Sequence, residues 1–254
     1  MTEIGSVFME TNKSKLMKGL FQGNPVVVKT VRSITSTEEH ILTKIKCPYL
    51  LHPLYISSHD QIEIGFPEAS CDLFELIYNR KCSNEDKIKM SIDIISGIKC
   101  LHENNIIHLD IKPENILIFG DNCQVCDFDT SIHLDEDKYF KVISWPISST
   151  LGFVPPEISF RPGFAIISRA TDVWALGATL YELFTSEQFI PNSGLISLRI
   201  YQQTLADILL TDKFNEKLSK IEHAHVRSII KSMLSFNVSL RPNICQVLSA
   251  FQEI

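Results

Sequence analysis

One stretch of this 254-residue chain limits its possible folds more than any other. It reads His108-Leu-Asp-Ile-Lys-Pro-Glu-Asn115, continues through Ile116-Leu117-Ile118, and is followed downstream by Asp127-Phe128-Asp129. A carboxylate, Asp110, precedes a cation, Lys112; an amide follows at Asn115 and a second carboxylate at Asp127. Such a set can orient a hydroxyl with Asp110, neutralise a phosphoryl group with Lys112, and hold a divalent cation between Asn115 and Asp127. Phosphoryl transfer asks a protein for positioning and charge neutralisation more than for covalent chemistry. Any one of these residues alone means little, since a lone Asp or Asn in a loop commonly caps a turn. The ordered set is specific.

The stretch resembles the catalytic loop, H-x-D-x-K-x-x-N, and the metal-binding D-F-G segment of eukaryotic-type protein kinases. The resemblance implies an α+β bilobal fold, with a small β-rich N-lobe carrying one regulatory helix and a larger α-helical C-lobe. It also implies ATP and Mg²⁺ as cofactors. Upstream, Pro25-Val-Val-Val-Lys-Thr-Val31 is a β-branched run with Lys29 inside it, read as a strand. A lysine in an apolar strand must send its ammonium to a partner or a cleft. Most such lysines simply snorkel at an edge; this one resembles the V-A-I-K lysine of kinases. Apolar residues at Ile41, Leu42 and Ile45 mark a helix over 37–45. The family spacing puts the lysine-pairing glutamate at Glu38, with Glu39 as the alternative.

The pattern departs from the family at the glycine-rich loop. Aligning Leu16-Met-Lys-Gly19 with the strand after that loop places Met9 to Ser14 where glycines belong, and none is glycine. Starting at Ile4-Gly5 recovers only one. Side chains there are expected to weaken a phosphate cradle, and Lys13 is read as a solvated loop lysine. Farther on, Phe66-Pro67-Glu68 and Asp72-Leu73-Phe74 are similar to the hinge of the Pim kinases. That likeness implies Ile64 at the back of an adenine pocket and Phe66 beside it. Pro67 has no N–H, so one of the two usual hinge hydrogen bonds would be absent.

Ser83-Asn-Glu-Asp86 reads as a helix start, followed by a stripe at Ile88, Ile92, Ile95, Ile98 and Leu101. In the resemblance His108 is scaffold packed near Phe128, and Asp172 of Asp172-Val-Trp-Ala-Leu-Gly177 holds the catalytic-loop backbone. Leu109 stands where the commoner motif has arginine, which implies activity that does not need activation-segment phosphorylation. Asp129 replaces the D-F-G glycine at a position open to left-handed backbone, and adds negative charge near the metal. The end of the segment, Ser149-Thr150-Leu-Gly-Phe-Val-Pro-Pro-Glu157, implies serine/threonine acceptors and a Glu157–Arg241 ion pair. Residues 195–254 read as helical.

Composition excludes several classes. Hydrophobic residues make up 44%, charged residues 21%, and the net charge is −6, the profile of a globular protein rather than a nucleic-acid or anionic-membrane binder. No apolar run approaches the roughly 18 residues that span a bilayer, and the N-terminus lacks a signal-peptide layout. Seven cysteines, an odd number, suit a reducing intracellular compartment, cytoplasm or nucleus. Cys123-Gln-Val-Cys126 lacks a second pair at zinc spacing and reads as small apolar residues flanking a strand. A single domain over 1–254 is expected, with an N-lobe about 1–65, a hinge about 65–70 and a C-lobe about 71–254. The leading expectation is a serine/threonine protein kinase acting on a protein substrate. A mild preference for basic flanking residues is read from Asp72, Glu75 and Glu114. The alternative is a pseudokinase serving as a binding or scaffolding module; a small-molecule kinase fits the 150–157 segment less well.

Overall fold

The computed structural model describes residues 2–11, 13–135, 139–144, 150–160, 163–191 and 197–254. Asn12 of the expected loop, Ser149, and residues 195–196 lie outside these.

The N-terminal lobe is an antiparallel sheet of β1 (Thr2–Glu10), β2 (Ser14–Phe21), β3 (Asn24–Val31), β4 (Tyr55–Ser58) and β5 (Ile62–Pro67), in the order β1-β2-β3-β5-β4. The β2–β3 hairpin turns on Gln22 and Gly23, both left-handed at φ 53° and 79°. Two such residues give a two-residue turn whose twist matches the flanking strands. Helix α1 (Ser36–Lys44) follows β3 and is capped by Thr35, whose hydroxyl accepts from the Glu38 amide. Its buried face holds Glu38, Ile41 and Leu42. Glu39 is exposed.

β5 runs through Pro67, with Phe66 opposite Val27 and Pro67 opposite Val26. The segment between β5 and β6 is therefore 68–70. Gly65 and Phe66 belong to the ladder, and Pro67, with no N–H to donate, ends it.

The C-terminal lobe begins with β6 (Cys71–Asp72), α2 (Leu73–Asn79) and α3 (Asn84–Glu103). Ser83 and Asp86 form a reciprocal capping box at the start of α3. Ile95, Ile98 and Leu101 are buried as expected, joined by Ile94; Ile88 and Ile92 are only half-buried. Gly97 is required by close packing, since a Cβ there would lie 2.7 Å from the Tyr49 carbonyl oxygen. Short strands follow: β7 (Ile106–Ile107), β8 (Ile116–Phe119), β9 (Asn122–Val125) and β10 (Ile132–His133). β6, β8 and β9 form one sheet; β10 pairs with β7. β11 (Phe140–Ser144) pairs with β12 (Phe164–Ser168), and α4 (Pro156–Ser159) lies between them in sequence.

Helix α5 (Arg169–Thr185) is the core of this lobe, buried without a break from Thr171 to Leu183. Around it lie α6 (Leu198–Leu210), α7 (Lys213–Ser219), α8 (Ala224–Met233) and α9 (Ile244–Gln252), matching the helical reading of the C-terminal part. Within α5, Glu182 accepts a hydrogen bond from the Tyr78 hydroxyl at 2.8 Å. Burial pushes its carboxyl up to about 7. A carboxyl that binds its proton more tightly folded than unfolded stabilises below its unfolded pKa and loses that contribution as pH rises through the folded value. Wild-type stability should thus fall by about 1–3 kcal/mol between about pH 5 and pH 8 from this group. Glu182→Gln should flatten that slope in thermal melts; equal slopes in both proteins would refute it.

Candidate active site

Asp172, fully buried at the start of α5, organises the catalytic loop. Its carboxylate accepts from the backbone amides of His108 at 2.9 Å and Leu109 at 3.0 Å, and is hydrogen-bonded to His102 Nε2 at 2.8 Å. These bonds pin Leu109 in a left-handed conformation, φ 69°, which a branched side chain adopts only under outside constraint. Leu109 is itself buried, so an arginine's charge has been exchanged for core packing. His108 is scaffold: its Nε2 lies 3.1 Å from the Cys126 carbonyl oxygen, and its ring meets Phe128 edge-on at 5.6 Å.

The loop brings Asp110, Lys112 and Asn115 together. Lys112 Nζ donates to Asp110 Oδ2 at 2.7 Å, and Asn115 Nδ2 donates to the same oxygen at 3.0 Å and to the Asp110 carbonyl at 2.8 Å. From the far segment, the Thr150 hydroxyl accepts from Lys112 Nζ at 2.8 Å and donates to Asp110 Oδ1 at 3.2 Å. A hydroxyl thus already sits between a carboxylate and an ammonium. Asn115 is tied to the strand leading to Asp127, because the Cys126 amide donates to its carbonyl at 2.9 Å. Asp127 adopts φ 63° and leaves 44% of its side chain exposed.

Asn115 and Asp127 offer hard oxygen donors at neighbouring strand ends. Among the described residues no three His, Cys, Asp or Glu side chains are placed to hold a metal unaided. The oxygen donors fit Mg²⁺, which takes one or two protein oxygens and completes its shell with phosphates and water.

Lys29 projects from β3 opposite the buried Ile64 of β5. The expected Glu38 contact exists, at 3.4 Å, and Asp127 Oδ1 lies 3.5 Å away. The tightest partner, however, is Asp129 Oδ1. Burial works against the lysine's charge, but Asp127, Asp129 and Glu38 outweigh it and raise its pKa. Glu38 is pushed up to about 7, by burial first, against the pull of Lys29 and with the help of Asp129. Burial also disfavours the charged form of Asp129, yet Lys29 holds its pKa below the usual range. The sequence reading allowed left-handed backbone at 129; the left-handed residue is Asp127 instead.

A model of the family described as "Protein kinase domain" matches residues 6–251. The chain belongs to the protein kinase family. It is 27% identical to the protein R436 of Acanthamoeba polyphaga mimivirus, which bears a serine/threonine-protein kinase name, over 95% of this chain and 86% of that protein. It is 26% identical to the serine/threonine-protein kinase AtPK1/AtPK6 of Arabidopsis thaliana, over 87% of this chain and 46% of the relative. The phosphorylase b kinase gamma catalytic chain of the liver/testis type from Bos taurus is 28% identical over 71% of this chain and 46% of its own. The kinase domain thus spans most of the viral relative and less than half of the other two.

Two kinase features depart from the family pattern or refine it. The β1–β2 turn replaces the glycine loop with a threonine turn. Thr11 Oγ1 accepts from the amides of Ser14 at 3.0 Å and Lys13 at 3.2 Å, consuming donors that a glycine loop would leave for phosphate. Lys13 itself is exposed. At the substrate side, Arg241 makes the expected bidentate pair with Glu157, both bonds at 2.7 Å. Cys123 and Cys126 are buried free thiols around β9, as their apolar reading implied. Burial pushes the Cys123 thiol up to about 12, so it stays a thiol at neutral pH.

Sequence reasoning missed several contacts of this site, among them the Thr150 hydroxyl between Asp110 and Lys112 and the His102–Asp172 bond. It treated Asp129 as a charge near the metal and missed its grip on Lys29. It took Thr11 only as a missing glycine and missed its turn. The signal for both was present, as an anion and a hydroxyl in positions where the family has glycine.

Proposed function

We propose that this kinase domain transfers the γ-phosphoryl group of ATP to serine or threonine hydroxyls of protein substrates. The observation that carries the reading is the Thr150 hydroxyl held between Asp110 and Lys112. The site already accommodates an alcohol where an acceptor would have to be oriented. Bound Mg·ATP supplies the phosphoryl group and a cation that offsets its charge. Asp110 orients the acceptor hydroxyl and takes its proton, while Lys112 balances charge on the migrating group. Lys29 receives the α- and β-phosphates, with Glu38 behind it. Asn115 and Asp127 would hold the cation, and Ile64 and Phe66 would line the adenine side. Retention of these groups in one cleft, each at hydrogen-bonding or ion-pairing distance from another, weighs against a purely scaffolding module.

The test is phosphotransfer from labelled ATP with Mg²⁺ to a generic basic protein, followed by phosphoamino-acid analysis. Phosphoserine and phosphothreonine that vanish with Lys29→Met are expected. Phosphotyrosine alone, or signal indifferent to Lys29→Met, would overturn the reading.

Substrate choice follows from charge. Glu75 and Glu114 are exposed, and Asp72 caps α2 by accepting from the Glu75 amide at 2.7 Å. This acidic set supports a mild preference for basic residues flanking the acceptor. Leu109 offers no cation for a phosphate on the activation segment, so activity should survive phosphatase treatment. Free cysteines at all seven positions support a reducing compartment within the cell, cytoplasm or nucleus. Net charge of −6 supports neither a nucleic-acid nor an anionic-membrane partner. Among the described residues no helix is long and apolar enough to cross a membrane.

A further inference from the structure

We propose that Asp129 is an internal counter-anion, seated on Lys29 until nucleotide phosphates displace it, which makes nucleotide binding depend on a divalent cation far more than a glycine at that position would. The inference rests on the reading that Lys29 receives phosphate, and adds a positioning residue to it.

Lys29 is the cation that nucleotide needs, and only 11% of its side chain is exposed. Three carboxylates surround it: Asp129 closest, then Glu38 at 3.4 Å and Asp127 at 3.5 Å. Asp129 and Glu38 both approach the Lys29 ammonium, so two carboxylates flank one cation. A phosphate approaching Lys29 must therefore replace an ion pair and enter the field of Asp129 and Asp127 together. Like charges at such separations repel strongly in a partly desolvated cleft.

The loop above offers little compensation. The amides of Lys13 and Ser14 already donate to the Thr11 side chain. Lys29 and these two turn amides all donate to internal oxygens. A cation shared by the phosphates and Asp127 relieves the repulsion, and Asp129, with 33% of its side chain exposed, can then turn outward to water. Bare nucleotide has no such relief. A glycine at 129 would leave Lys29 with Glu38 alone beside it on the helix side, and a phosphate would compete with one carboxylate fewer.

The experiment measures the ATP dissociation constant by calorimetry in EDTA and again in Mg²⁺, for wild type, Asp129→Asn, Asp129→Gly and Lys29→Met. Asp129→Asn keeps the side-chain shape and removes the charge; Asp129→Gly removes both and guards against a new amide contact. Both should tighten ATP binding about ten-fold or more in EDTA and by less than about three-fold in Mg²⁺. A role in shape alone would not produce that split. Unchanged affinity in both buffers overturns the proposal, provided wild type binds ATP and Lys29→Met weakens it. Weaker binding confined to Mg²⁺ also overturns it, since Asp129 would then be a metal ligand. Wild type that fails to bind in Mg²⁺, or binding indifferent to Lys29→Met, overturns the proposal and the phosphate-site reading beneath it.

Discussion

Asp110→Ala is expected to lower kcat by about 10²–10⁴-fold, the range typical of a lost general base, with little change in KM for ATP. The reason lies in its partners. Asp110 receives Lys112 at 2.7 Å, the Asn115 amide at 3.0 Å, and the Thr150 hydroxyl and amide, both at 3.2 Å. Removing the carboxylate takes an acceptor from all four of these donors as well as deleting the proton acceptor. Asp110→Asn separates the effects, because it keeps the oxygen toward Lys112 and loses basicity. Both variants should fail in steady-state assays. If Asp110→Asn retained activity within about ten-fold of wild type, proton acceptance by Asp110 would be wrong, although positioning would stand.

Arg241→Ala should cost about 3–5 kcal/mol, the usual loss when one partner of a buried ion pair is removed. In a chain of this size that corresponds to a melting temperature lower by roughly 6–20 °C. The Arg241 side chain is fully buried. It donates twice to Glu157, and also to the carbonyls of Ser235 at 2.9 Å and Ala170 at 2.9 Å, while its guanidinium lies 5.0 Å from the Trp174 ring centroid. Truncation strands Glu157 and two carbonyl oxygens together. The double variant Arg241→Met, Glu157→Leu should recover part of the loss, because no charge is then left without its partner. Denaturant unfolding measures both, and a single-variant loss under about 1 kcal/mol would contradict the account.

What the sequence made legible was whatever lay in ordered, local spacing. The catalytic loop carried its chemistry within a few residues, so Asp110, Lys112 and Asn115 could be assigned before any fold was known. Family spacing pointed to Glu38 with Glu39 as the alternative, and the helix separates them: Glu38 shares the buried face with Ile41 and Leu42, whereas Glu39 is exposed. Long-range contacts became legible only through family likeness, as with Glu157 and Arg241. The Lys29–Asp129 contact had neither source. Its partners stand 100 positions apart, and the family offers glycine at one of them. The β11–β12 pairing passed unnoticed because each strand is short and its partner lies beyond the chain's passage through α4.

The unbroken burial of α5 divides the molecule by how readily its backbone opens. Amide protons from Thr171 to Leu183 can reach solvent only when the larger lobe unfolds as a whole, so they should be the slowest to exchange with deuterium. The β1–β2 ribbon, with Val7, Phe8 and Met9 all exposed, has little to hold it against local opening and should exchange early. Because Asp172 belongs to the slow set and carries the catalytic loop with it, that loop keeps its shape while the ribbon opens and recloses. Such a chain can lose its loop glycines, one substitution at a time, without disturbing the residues that would perform the transfer.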